Sequence, residues 1–566
     1  MKETKSGNYS LDPVTLEVLR NSFAMVAEEM SANLVRTSYS PNIKERRDSS
    51  CALFDRKGKL IAQAENIPVH LGAMPRAVNA VLDEFDPARL EPGSAVIHND
   101  PYEGGVHLPD ITMVSPVHHR ESLIGFVANR AHHADVGGSS PGSLSADSKS
   151  IYAEGLQIPP VRLVREGEMC DEVMRFVLAN MRAPAEREGD LRAQLAANYT
   201  GEKRFRELIA EHGKEKITAA FADVLNYSEK RTRSRIRNLP DGSYGAVDFL
   251  DDDGCGTTDI RVEVRVEVKD DVVSVDFAGT HDQVEGPVNA PIAVTESATY
   301  YSLRAATDPS IPPNSGCYRP ISIEVPEKSL LNPVKPASVV GGNLETSQRI
   351  VDVILAALAG AGIGSIPAGS NGSMNNVTFG GGGKKSSADY TFYETIGGGS
   401  GGCPGKDGVD GIHCHMTNTR NTPVEVIERN YPLRVEKYGF RRDSGGAGKY
   451  RGGLGLVREI RALEDGTEFS LLSDRRTHRP RGFSGGKPGQ SGKDVLIRNK
   501  EKRPLPAKVT KELRQGDLVC LRTPGGGGYG DPRERQPERI ARDLREDRVS
   551  RERVKNNYPQ YESFQG

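Results

Sequence analysis

The first regular pattern along the chain is an apolar stripe with helical spacing. Leu16, Leu19 and Phe23 begin a series that recurs every three or four residues, which is the period of one helix face. An Asp-Pro pair at residues 12–13 precedes the stripe and supplies a capping side chain and a first-turn proline. The pattern predicts an amphipathic helix that ends near residues 38–41.

Short apolar segments separated by Gly, Pro and Asn follow this helix, and they are typical of β-strands. These segments lie at residues 51–54, 60–63, 95–98, 111–116 and 123–128. Histidines and aspartates gather at their ends. Residues 171–238 are instead rich in Arg, Glu, Ala and Leu, which predicts two or three helices whose charged residues face solvent.

The pattern changes to strict alternation at residues 260–268, whose sequence IRVEVRVEV has the period of a half-buried strand. A polar turn leads into a second strand at 272–277. Residues 342–358 have a helical pattern, and a second β-rich segment spans 416–521. Residues 531–566 are charged and poor in apolar side chains, which predicts a surface helix or a partly disordered tail.

Charge and hydropathy exclude several classes of protein. The 75 Lys and Arg against 77 Asp and Glu give a formal net charge of −2, so we expect no nucleic-acid partner. No run of about 18 apolar residues exists, so no membrane span is predicted, and the N-terminus lacks the apolar core of a signal peptide. The seven cysteines include no CxxC pair, and we expect a cytoplasmic protein.

Glycine is unusually frequent, with 61 residues that include runs at 380–383, 397–399 and 525–528. Such runs permit positive φ and close approach of two backbones. The runs lie between strand-like segments and lack the Ser/Gly repeats of a flexible linker. We therefore favour tight turns that face a cavity over a linker.

The residues most suited to chemistry lie between residues 48 and 135. HND at 98–100, HLPD at 107–110 and HHAD at 132–135 contain four of the twelve histidines. Two imidazoles and two carboxylates are a suitable ligand set for Zn, Fe or Mn. The residue types alone also allow ordinary loop histidines and helix-capping aspartates, so both interpretations stay open at this point.

Together these patterns predict a multi-domain α+β protein with mixed strands. The 566 residues suggest about three to four structural units. We expect five regions along the chain: a metal-binding catalytic region at 1–165, a helical segment at 166–240, a β-rich region at 241–335, a Gly-rich α/β and β region at 336–530, and a charged C-terminal tail at 531–566.

Nine sequence motifs in consistent order make the chain resemble the hydantoinase B/oxoprolinase family. The motifs are ERRD at 45–48, HNDPY at 98–102, GVHLPD at 105–110, HHADVGG at 132–138, DFAGT at 276–280, GNLETSQR at 342–349, ETIGGG at 394–399, NTRNTP at 418–423 and SGGAG at 444–448. The resemblance extends from residue 12 to residue 532. Any one motif is weak evidence, whereas their shared order makes chance agreement very improbable.

The resemblance implies an amide-cleaving subunit of an ATP-dependent enzyme that opens cyclic amides such as hydantoins, 5-oxoproline or lactams. It implies one divalent metal ion, Zn, Fe or Mn, held by Asp48, His107, Asp110 and His132. Adjacent residues of an extended chain point to opposite faces, so only one of His132 and His133 can face the ion. The residues alone leave open which of the two it is, and the resemblance implies His132.

Three further side chains are candidates for proton transfer. His133 and Asp135 lie in the same motif as His132, and Glu45 lies close to Asp48 in sequence. Our hypothesis is that a metal-bound water attacks the activated substrate and that His133 or Asp135 takes the proton or delivers it to the leaving nitrogen.

ATP is expected to be used by a different chain. The sequence contains no GxxxxGK[ST] phosphate-binding loop, and its nearest approach, GKKS at 383–386, lacks the required residues at the required positions. The resemblance implies a hydantoinase A-like ATPase subunit as partner, and hence a hetero-oligomer.

Two alternatives to this function remain at the sequence level. One is an acetone carboxylase-type large subunit, which is similar to this family and uses a similar metal site; the HHADVGG motif favours the hydrolase side. The other is a non-catalytic scaffold for the ATPase partner, although a scaffold has no need of the His and Asp residues of a metal site.

Overall fold

A computed structural model describes residues 10–564, except residues 65, 365 and 382–388. The GKKS run at 383–386 therefore lies outside the described residues.

The helices of the described residues are α1 (Pro13–Thr37), α2 (Pro41–Lys44), α3 (Pro68–Glu84), α4 (Ile151–Glu154), α5 (Asp171–Leu178), α6 (Pro184–His212), α7 (Lys214–Ile236), α8 (Ile292–Thr307), α9 (Ser315–Tyr318), α10 (Ser347–Gly360), α11 (Val424–Asn430), α12 (Pro537–Arg545) and α13 (Arg551–Asn557). A π-helical turn, Gly342–Thr346, runs directly into α10. Short 3-10 turns lie at Pro87–Arg89, Pro101–Glu103, Pro141–Ser143, Pro532–Glu534 and Pro559–Phe564. Within the described ranges, every helix is too short or too polar to cross a membrane.

The strands are β1 (Ser49–Asp55), β2 (Leu60–Gln63), β3 (Ala95–His98), β4 (Asp110–His119), β5 (Ser122–His132), β6 (Val161–Arg165), β7 (Glu168–Met169), β8 (Gly242–Asp252), β9 (Thr258–Lys269), β10 (Val272–Asp276), β11 (Ile321–Glu324), β12 (Asn376–Gly381), β13 (Tyr390–Thr395), β14 (Leu433–Phe440), β15 (Leu456–Ala462), β16 (Thr467–Leu472), β17 (Asp494–Arg498), β18 (Glu501–Leu505), β19 (Lys508–Leu513) and β20 (Leu518–Arg522). They form an antiparallel seven-stranded sheet (β2-β1-β5-β4-β3-β6-β7), two four-stranded sheets (β11-β10-β9-β8 and β13-β12-β16-β19) and a five-stranded sheet (β14-β15-β20-β17-β18). The predicted α+β class with mixed strands is confirmed.

The N-terminal helix and the strands after it follow the sequence pattern. Helix α1 begins at Pro13, and the Asp12 carboxylate accepts hydrogen bonds from the backbone N–H groups of Val14 and Thr15. The five predicted strand segments correspond to β1 to β5, and β2 and β3 have the predicted bounds. The alternating segment forms β9 and pairs with β10 in a hairpin. These predictions, which rest on local periodicity, are confirmed.

Helices cover both faces of the seven-stranded sheet. Successive residues of β1 show the two faces: Leu53 packs in a core with residues of α1, α6 and α7, whereas Phe54 packs in a core with residues of α3. This alternation is the period of two that strands require. Both faces of the sheet are therefore buried, and polar side chains at the strand ends are buried with them.

The face of α6 that lies on the sheet carries buried amide side chains, which the prediction of charged residues facing solvent did not include. Gln194 donates to the carbonyl of Ile111 and to Asn129, and Asn198 donates to the carbonyl of Met113. Both amides are fully buried. Hydrogen bonds to the strands replace the solvent that these side chains would otherwise need.

The middle of the chain provides a second layered unit. Helix α10 packs against the sheet of β8 to β11, and Ile350, Val353 and Ile354 contribute to a core shared with Val262 and Val264 of β9. The π turn that precedes α10 is thereby held in place. This turn carries the GNLETSQR motif towards the end of the seven-stranded sheet.

The glycine run 525–528 lies inside a closely packed bundle of extended segments. A β-carbon on Gly526 would lie 1.9 Å from the carbonyl oxygen of Ser400, and one on Gly527 would lie 1.8 Å from that of Arg481. The run is bonded through its backbone to several segments, for example from Gly527 to the carbonyl of residue 369. Backbone packing requires glycine here, so the run is neither a linker nor a cavity-facing turn.

The described part of the C-terminal tail folds as helices α12 and α13 rather than as a disordered segment. Ile540, Val554 and Tyr558 are buried against Ala447 of the glycine-rich bundle. Arg535 is buried as well, and its guanidinium pairs with Asp407 and Asp543 at 2.7 and 2.6 Å. A few apolar contacts and buried ion pairs thus hold a segment whose composition is mostly charged.

Candidate metal centre

Two antiparallel strands bring His107, Asp110 and His132 together. Asp110 is the first residue of β4 and lies directly opposite His132, the last residue of β5. The turn before β4 returns His107 to the same place, because the Asp110 N–H donates to the His107 carbonyl. One ligand atom from each of the three side chains lies within 4.8 Å of the other two, and all three residues are buried.

Asp110 is the centre of this cluster. Its Oδ2 lies 2.9 Å from Nδ1 of His107, whereas its Oδ1 is buried and has no hydrogen-bond partner among the described residues. Burial disfavours the charged carboxylate, but His107 and His70 together hold the pKa of Asp110 well below its ordinary value. A charged carboxylate is therefore buried in the cluster with one oxygen that has no hydrogen-bond partner among the described residues.

His132 supplies the second imidazole in a form suited to metal binding. Burial, with the nearby His107 adding to it, lowers the pKa of His132 well below its ordinary value. The ring is thus neutral, as a metal ligand must be. The rings of His107 and His132 lie 5.0 Å apart, centre to centre.

Asp48 lies beside the cluster rather than within the three-residue group. It immediately precedes β1, its carbonyl accepts from the His132 N–H, and its carboxylate lies 3.6 Å from the Arg46 guanidinium. Burial raises the pKa of Asp48, and the charge of Asp110 raises it further. The carboxylate is therefore close enough to Asp110 to interact with it electrostatically.

His70 is a member of the site that the sequence motifs did not indicate. It lies in the first turn of α3, and its Nε2 is 3.2 Å from Oδ2 of Asp110. Its other ring nitrogen, Nδ1, is 3.1 Å from the hydroxyl of Ser50 in β1. A single histidine in an amphipathic helix carries no spacing signal, so only the packing of α3 on the sheet identifies it.

His132 is held by two further residues that were not predicted. Nδ2 of Asn42 lies 3.1 Å from its Nδ1, and the ring of Tyr393 stacks on it at 4.6 Å with an interplanar angle of 8°. The Arg46 guanidinium in turn lies 4.6 Å from the centre of the Tyr393 ring. Residues more than two hundred positions later in the chain therefore form one wall of the site.

His107 has a comparable partner on the π turn. Nδ2 of Asn343 lies 3.2 and 3.4 Å from the two ring nitrogens of His107. Glu154 holds the backbone just before this turn, because one of its carboxylate oxygens accepts from the N–H groups of Val339 and Val340. The GNLETSQR motif is thus a structural part of the site.

The three proton-transfer candidates lie outside the cluster. Nε2 of His133 is 2.9 Å from Oε1 of Gln194, on the α6 side of the sheet. Asp135 accepts hydrogen bonds from the N–H groups of Gly137 and Gly142 and pairs with Arg182 at 3.0 Å.

Glu45 ends the short helix α2. It lines a surface groove with Tyr39 and Glu425. Within the described part of the chain, no hydrogen bond or ion pair links its carboxylate to His107, Asp110 or His132.

These residues fit a divalent metal ion. The donor set of two imidazole nitrogens and one carboxylate is common to Zn, Fe and Mn sites. The partnerless Oδ1 of Asp110 is a buried acceptor that an ion would satisfy. The partners of His107, Asp110 and His132 resemble the hydrogen-bonded groups that orient ligands in metal sites.

Comparison with known sequences finds a protein family and several relatives that match almost the whole chain. Residues 12–532 match the family Hydantoinase B/oxoprolinase. An uncharacterised protein of Methanocaldococcus jannaschii is 45% identical over 97% of this chain and 96% of its own length. A Pseudomonas sp. protein named as one of the subunits of a D-/L-hydantoinase is 36% identical over 97% of this chain and 95% of its own.

Other relatives are longer proteins. The 5-oxoprolinase of Dictyostelium discoideum is 38% identical over 93% of this chain, but the match covers 41% of its own length. The chain thus spans about two fifths of that relative.

Solved structures share the fold. The ATP-dependent caprolactamase from Pseudomonas jessenii superposes with a TM-score of 0.90 at 29% identity, over 97% of this chain and 96% of its own. Nucleotide-free acetone carboxylase superposes with a TM-score of 0.86 at 18% identity, over 97% of this chain and 79% of its own. The second likeness is one of fold alone.

Proposed function

The chain belongs to the hydantoinase B/oxoprolinase family, and we propose that it is the metal-dependent ring-opening subunit of an ATP-dependent cyclic-amide hydrolase. The observation that carries the proposal is the buried His107, Asp110 and His132 cluster, in which one oxygen of Asp110 has no partner among the described residues. The names of the relatives support the reaction class, since they include a 5-oxoprolinase, a hydantoinase component and a caprolactamase.

In this proposal one divalent ion, Zn, Fe or Mn, is held by His107, Asp110 and His132, with Asp48 as the fourth ligand. When bound, such an ion supplies Lewis acidity and lowers the pKa of water. The carboxylate of Asp48 pairs with Arg46 at 3.6 Å, and the charges of Asp110 and His107 affect its pKa, so it is the nearest further carboxylate candidate. We assign His133 a positioning role, because its Nε2 lies against Oε1 of Gln194 rather than in the cluster.

The chain's own residues orient the ligands and exclude solvent. His70 holds Asp110, Asn42 holds His132, and Asn343 holds His107. Tyr393 covers one face of His132. Each ligand thus has its own supporting contact, which reduces the reorganisation that catalysis would otherwise require.

ATP is needed because an unstrained amide is a poor electrophile. Phosphorylation of the amide oxygen makes the ring carbon a better electrophile. Water can then add to that carbon, the C–N bond breaks to give a ring-opened acyl phosphate, and a second water releases inorganic phosphate. We propose that a hydantoinase A-like partner performs the phosphorylation and that this chain opens the ring. The naming of one relative as part of a multi-subunit hydantoinase and the greater length of the 5-oxoprolinases support a division of the work between two units.

We assign Asp135 to the support of the site rather than to proton transfer. Its two oxygens are occupied by Gly137, Gly142 and Arg182, so neither is available to a substrate proton. Glu45 likewise carries no role in the proposed mechanism, because it lines a surface groove.

Elemental analysis of the purified protein tests the proposal. We expect about one ion per chain, lost in His107→Ala and in Asp110→Ala but kept in His281→Ala, a matched control whose ring lies on the surface against the carbonyl of Asp282. Circular dichroism checks that each variant is folded.

The metal-loaded protein is then assayed with ATP, the partner subunit and hydantoin, 5-oxoproline or a lactam. A folded protein that stays metal-free after reconstitution with Zn, Fe and Mn would refute the proposal. An assay for bicarbonate-dependent consumption of a ketone distinguishes cyclic-amide hydrolysis from carboxylation.

A further inference from the structure

A fully buried arginine lies one layer behind the candidate metal centre. Arg130 is on β5, two residues before His132, and it is 0% exposed. Its Nε donates to the hydroxyl of Thr112 at 2.8 Å, whereas Nη1 and Nη2 have no hydrogen-bond partner among the described residues. A buried cation without a hydrogen-bonded carboxylate is costly, so Arg130 requires an explanation.

The strand register places Arg130 diagonally beside Asp110. Arg130 lies directly opposite Thr112, and His132 lies directly opposite Asp110. Residues opposite one another share a face of the sheet, as do residues two apart on one strand. Arg130 and Asp110 are therefore diagonal neighbours on one face. Such neighbours lie about 7–8 Å apart, within reach of a long side chain.

Helix α3 covers both residues on this face. Nε2 of His70 is 3.2 Å from Oδ2 of Asp110, and its Nδ1 is 3.1 Å from the hydroxyl of Ser50. Ser50 lies directly opposite Arg130. One helix residue thus spans the layer of the candidate ligands and the layer of Arg130. All four residues are buried, so solvent does not screen the charge of the guanidinium.

His98, on the far side of Thr112, provides no counter-charge. It lies directly opposite Thr112 on β3 and is fully buried. Both of its ring nitrogens lack a partner within the described part of the chain. Burial and the charge of Arg130 together lower the pKa of His98 to about 3. The ring is therefore neutral, and it leaves the positive charge of Arg130 unbalanced on that side.

Asp110 is the carboxylate whose charge acts on Arg130. Burial lowers the pKa of Arg130 to about 10, and the charge of Asp110 opposes this shift. The guanidinium therefore stays protonated at neutral pH. Oδ1 of Asp110 and both Nη atoms of Arg130 lack partners among the residues described, and Oδ2 faces His107 and His70. The interaction between the two charges thus runs through space.

We propose that Arg130 acts through space on the metal centre and lowers its affinity for a divalent cation. This inference rests on the proposed function and concerns how the same site is tuned. The guanidinium repels the ion, and it offsets part of the negative charge of Asp110. Arg130 thereby leaves more of the ion's positive charge available to a substrate oxygen, which is the use that a Lewis acid has in hydrolysis.

The size of the effect follows from Coulomb's law. For a doubly and a singly charged cation about 7–8 Å apart, repulsion changes the affinity roughly tenfold at an effective dielectric constant of about 80 and roughly a thousandfold at about 20. Buried groups behave as at the lower value. Removal of the charge should therefore raise the affinity by at least about tenfold. A residue that only supports the structure would give weaker binding when it is replaced, so the sign separates the two roles.

The test compares Arg130→Met with Arg130→Lys in the full-length protein. Methionine keeps an unbranched side chain without the charge, whereas lysine keeps the charge. Dissociation constants for Zn²⁺ and Mn²⁺ are measured by competition with a chelator, and circular dichroism checks the fold. We expect Arg130→Met to bind each ion at least about tenfold more tightly than the unmodified protein, and Arg130→Lys to stay within about threefold of it.

Arg130→Gln is a second neutral variant with the same expected result, so that the outcome does not depend on one substitution. Unchanged or weaker binding in the folded neutral variants would overturn the inference. A lysine variant that binds as tightly as the methionine variant would do so too. Loss of the fold in both neutral variants would also count against it, because Arg130 would then be a residue that the fold requires.

This result is distinguishable from a failure of the proposed function. If the unmodified protein and all variants stay metal-free, the proposed function is refuted and the inference falls with it. A protein that takes up the ion with equal affinity in its unmodified and Arg130→Met forms would contradict the inference alone.

Discussion

Substitution of Gly526 by alanine tests whether the glycine-rich bundle is a packed structural element. Gly526 lies in the middle of the run, and its nearest neighbours are backbone atoms, which cannot rotate away. A β-carbon there would lie 1.9 Å from the carbonyl oxygen of Ser400, 2.3 Å from its carbonyl carbon and 2.8 Å from the nitrogen of Gly401. Ordinary carbon contacts begin at about 3.4 Å, so the two segments must separate by more than an ångström.

That separation also strains the hydrogen bonds on either side. The N–H of Gly526 donates to the carbonyl of Gly453 at 2.9 Å, and its carbonyl accepts from Gly446 at 2.8 Å. Overpacking costs about 1–3 kcal/mol, and each weakened hydrogen bond adds about 1 kcal/mol. We expect Gly526→Ala to lower the free energy of unfolding by about 3–5 kcal/mol.

Differential scanning fluorimetry measures the effect as a fall in the melting temperature of about 2.5–4 °C, because the unfolding entropy of a chain of this length is about 1.2 kcal/mol/K. Gly439→Ala is the matched control, because a β-carbon at Gly439 would meet nothing within 4 Å; we expect a change of at most about 0.5 kcal/mol. Equal melting temperatures for the two variants would refute the packing argument.

Three further predictions concern the site and its surroundings. His70→Ala should weaken metal binding about 10- to 100-fold, since it removes a contact that orients Asp110; competition with a chelator measures this, and an unchanged affinity would contradict it. Asp135→Asn should lower the melting temperature through loss of its Arg182 pair while metal content stays unchanged, and an unchanged melting temperature or a loss of metal would contradict this. Burial raises the pKa of Glu345 to about 7, so its stabilising contribution is complete below about pH 4.5 and is lost as pH rises through about 7. The urea midpoint should therefore fall between pH 5 and pH 8 relative to that of Glu345→Gln, and parallel curves would contradict this.

Local periodicity predicted the elements whose structure is determined by residues close together in sequence. Helix α1 and the hairpin of β9 and β10 follow from their spacing and from the residues at their ends. The helical character of 171–238 was also predicted, but the direction of its polar residues was not. Gln194 and Asn198 face strands that lie some eighty positions earlier, and a charged composition carries no information about such a partner.

The site was partly visible in sequence for a related reason. His107, Asp110 and His132 lie in short motifs at the ends of adjacent strands, so the motifs mark residues that do meet. His70, Asn42 and Tyr393 lack such a signal, because each belongs to a separate element that reaches the cluster only after the layers pack. Asn343 contacts His107 from a π turn, which periodicity does not distinguish from an α-helix.

The wall formed by Tyr393 has a consequence for how the protein is made. The carbonyl of Tyr393 accepts a hydrogen bond from Arg46, 347 residues earlier in the chain. Tyr393 also follows His132, the last residue of the cluster, by 261 residues, and at about 5–20 residues per second a ribosome needs roughly 13–52 s to add them. During that time the nascent chain already carries the histidines and aspartates of the cluster but lacks the aromatic ring that covers them. The aromatic wall of the site therefore forms only after the C-terminal half of the chain has been made.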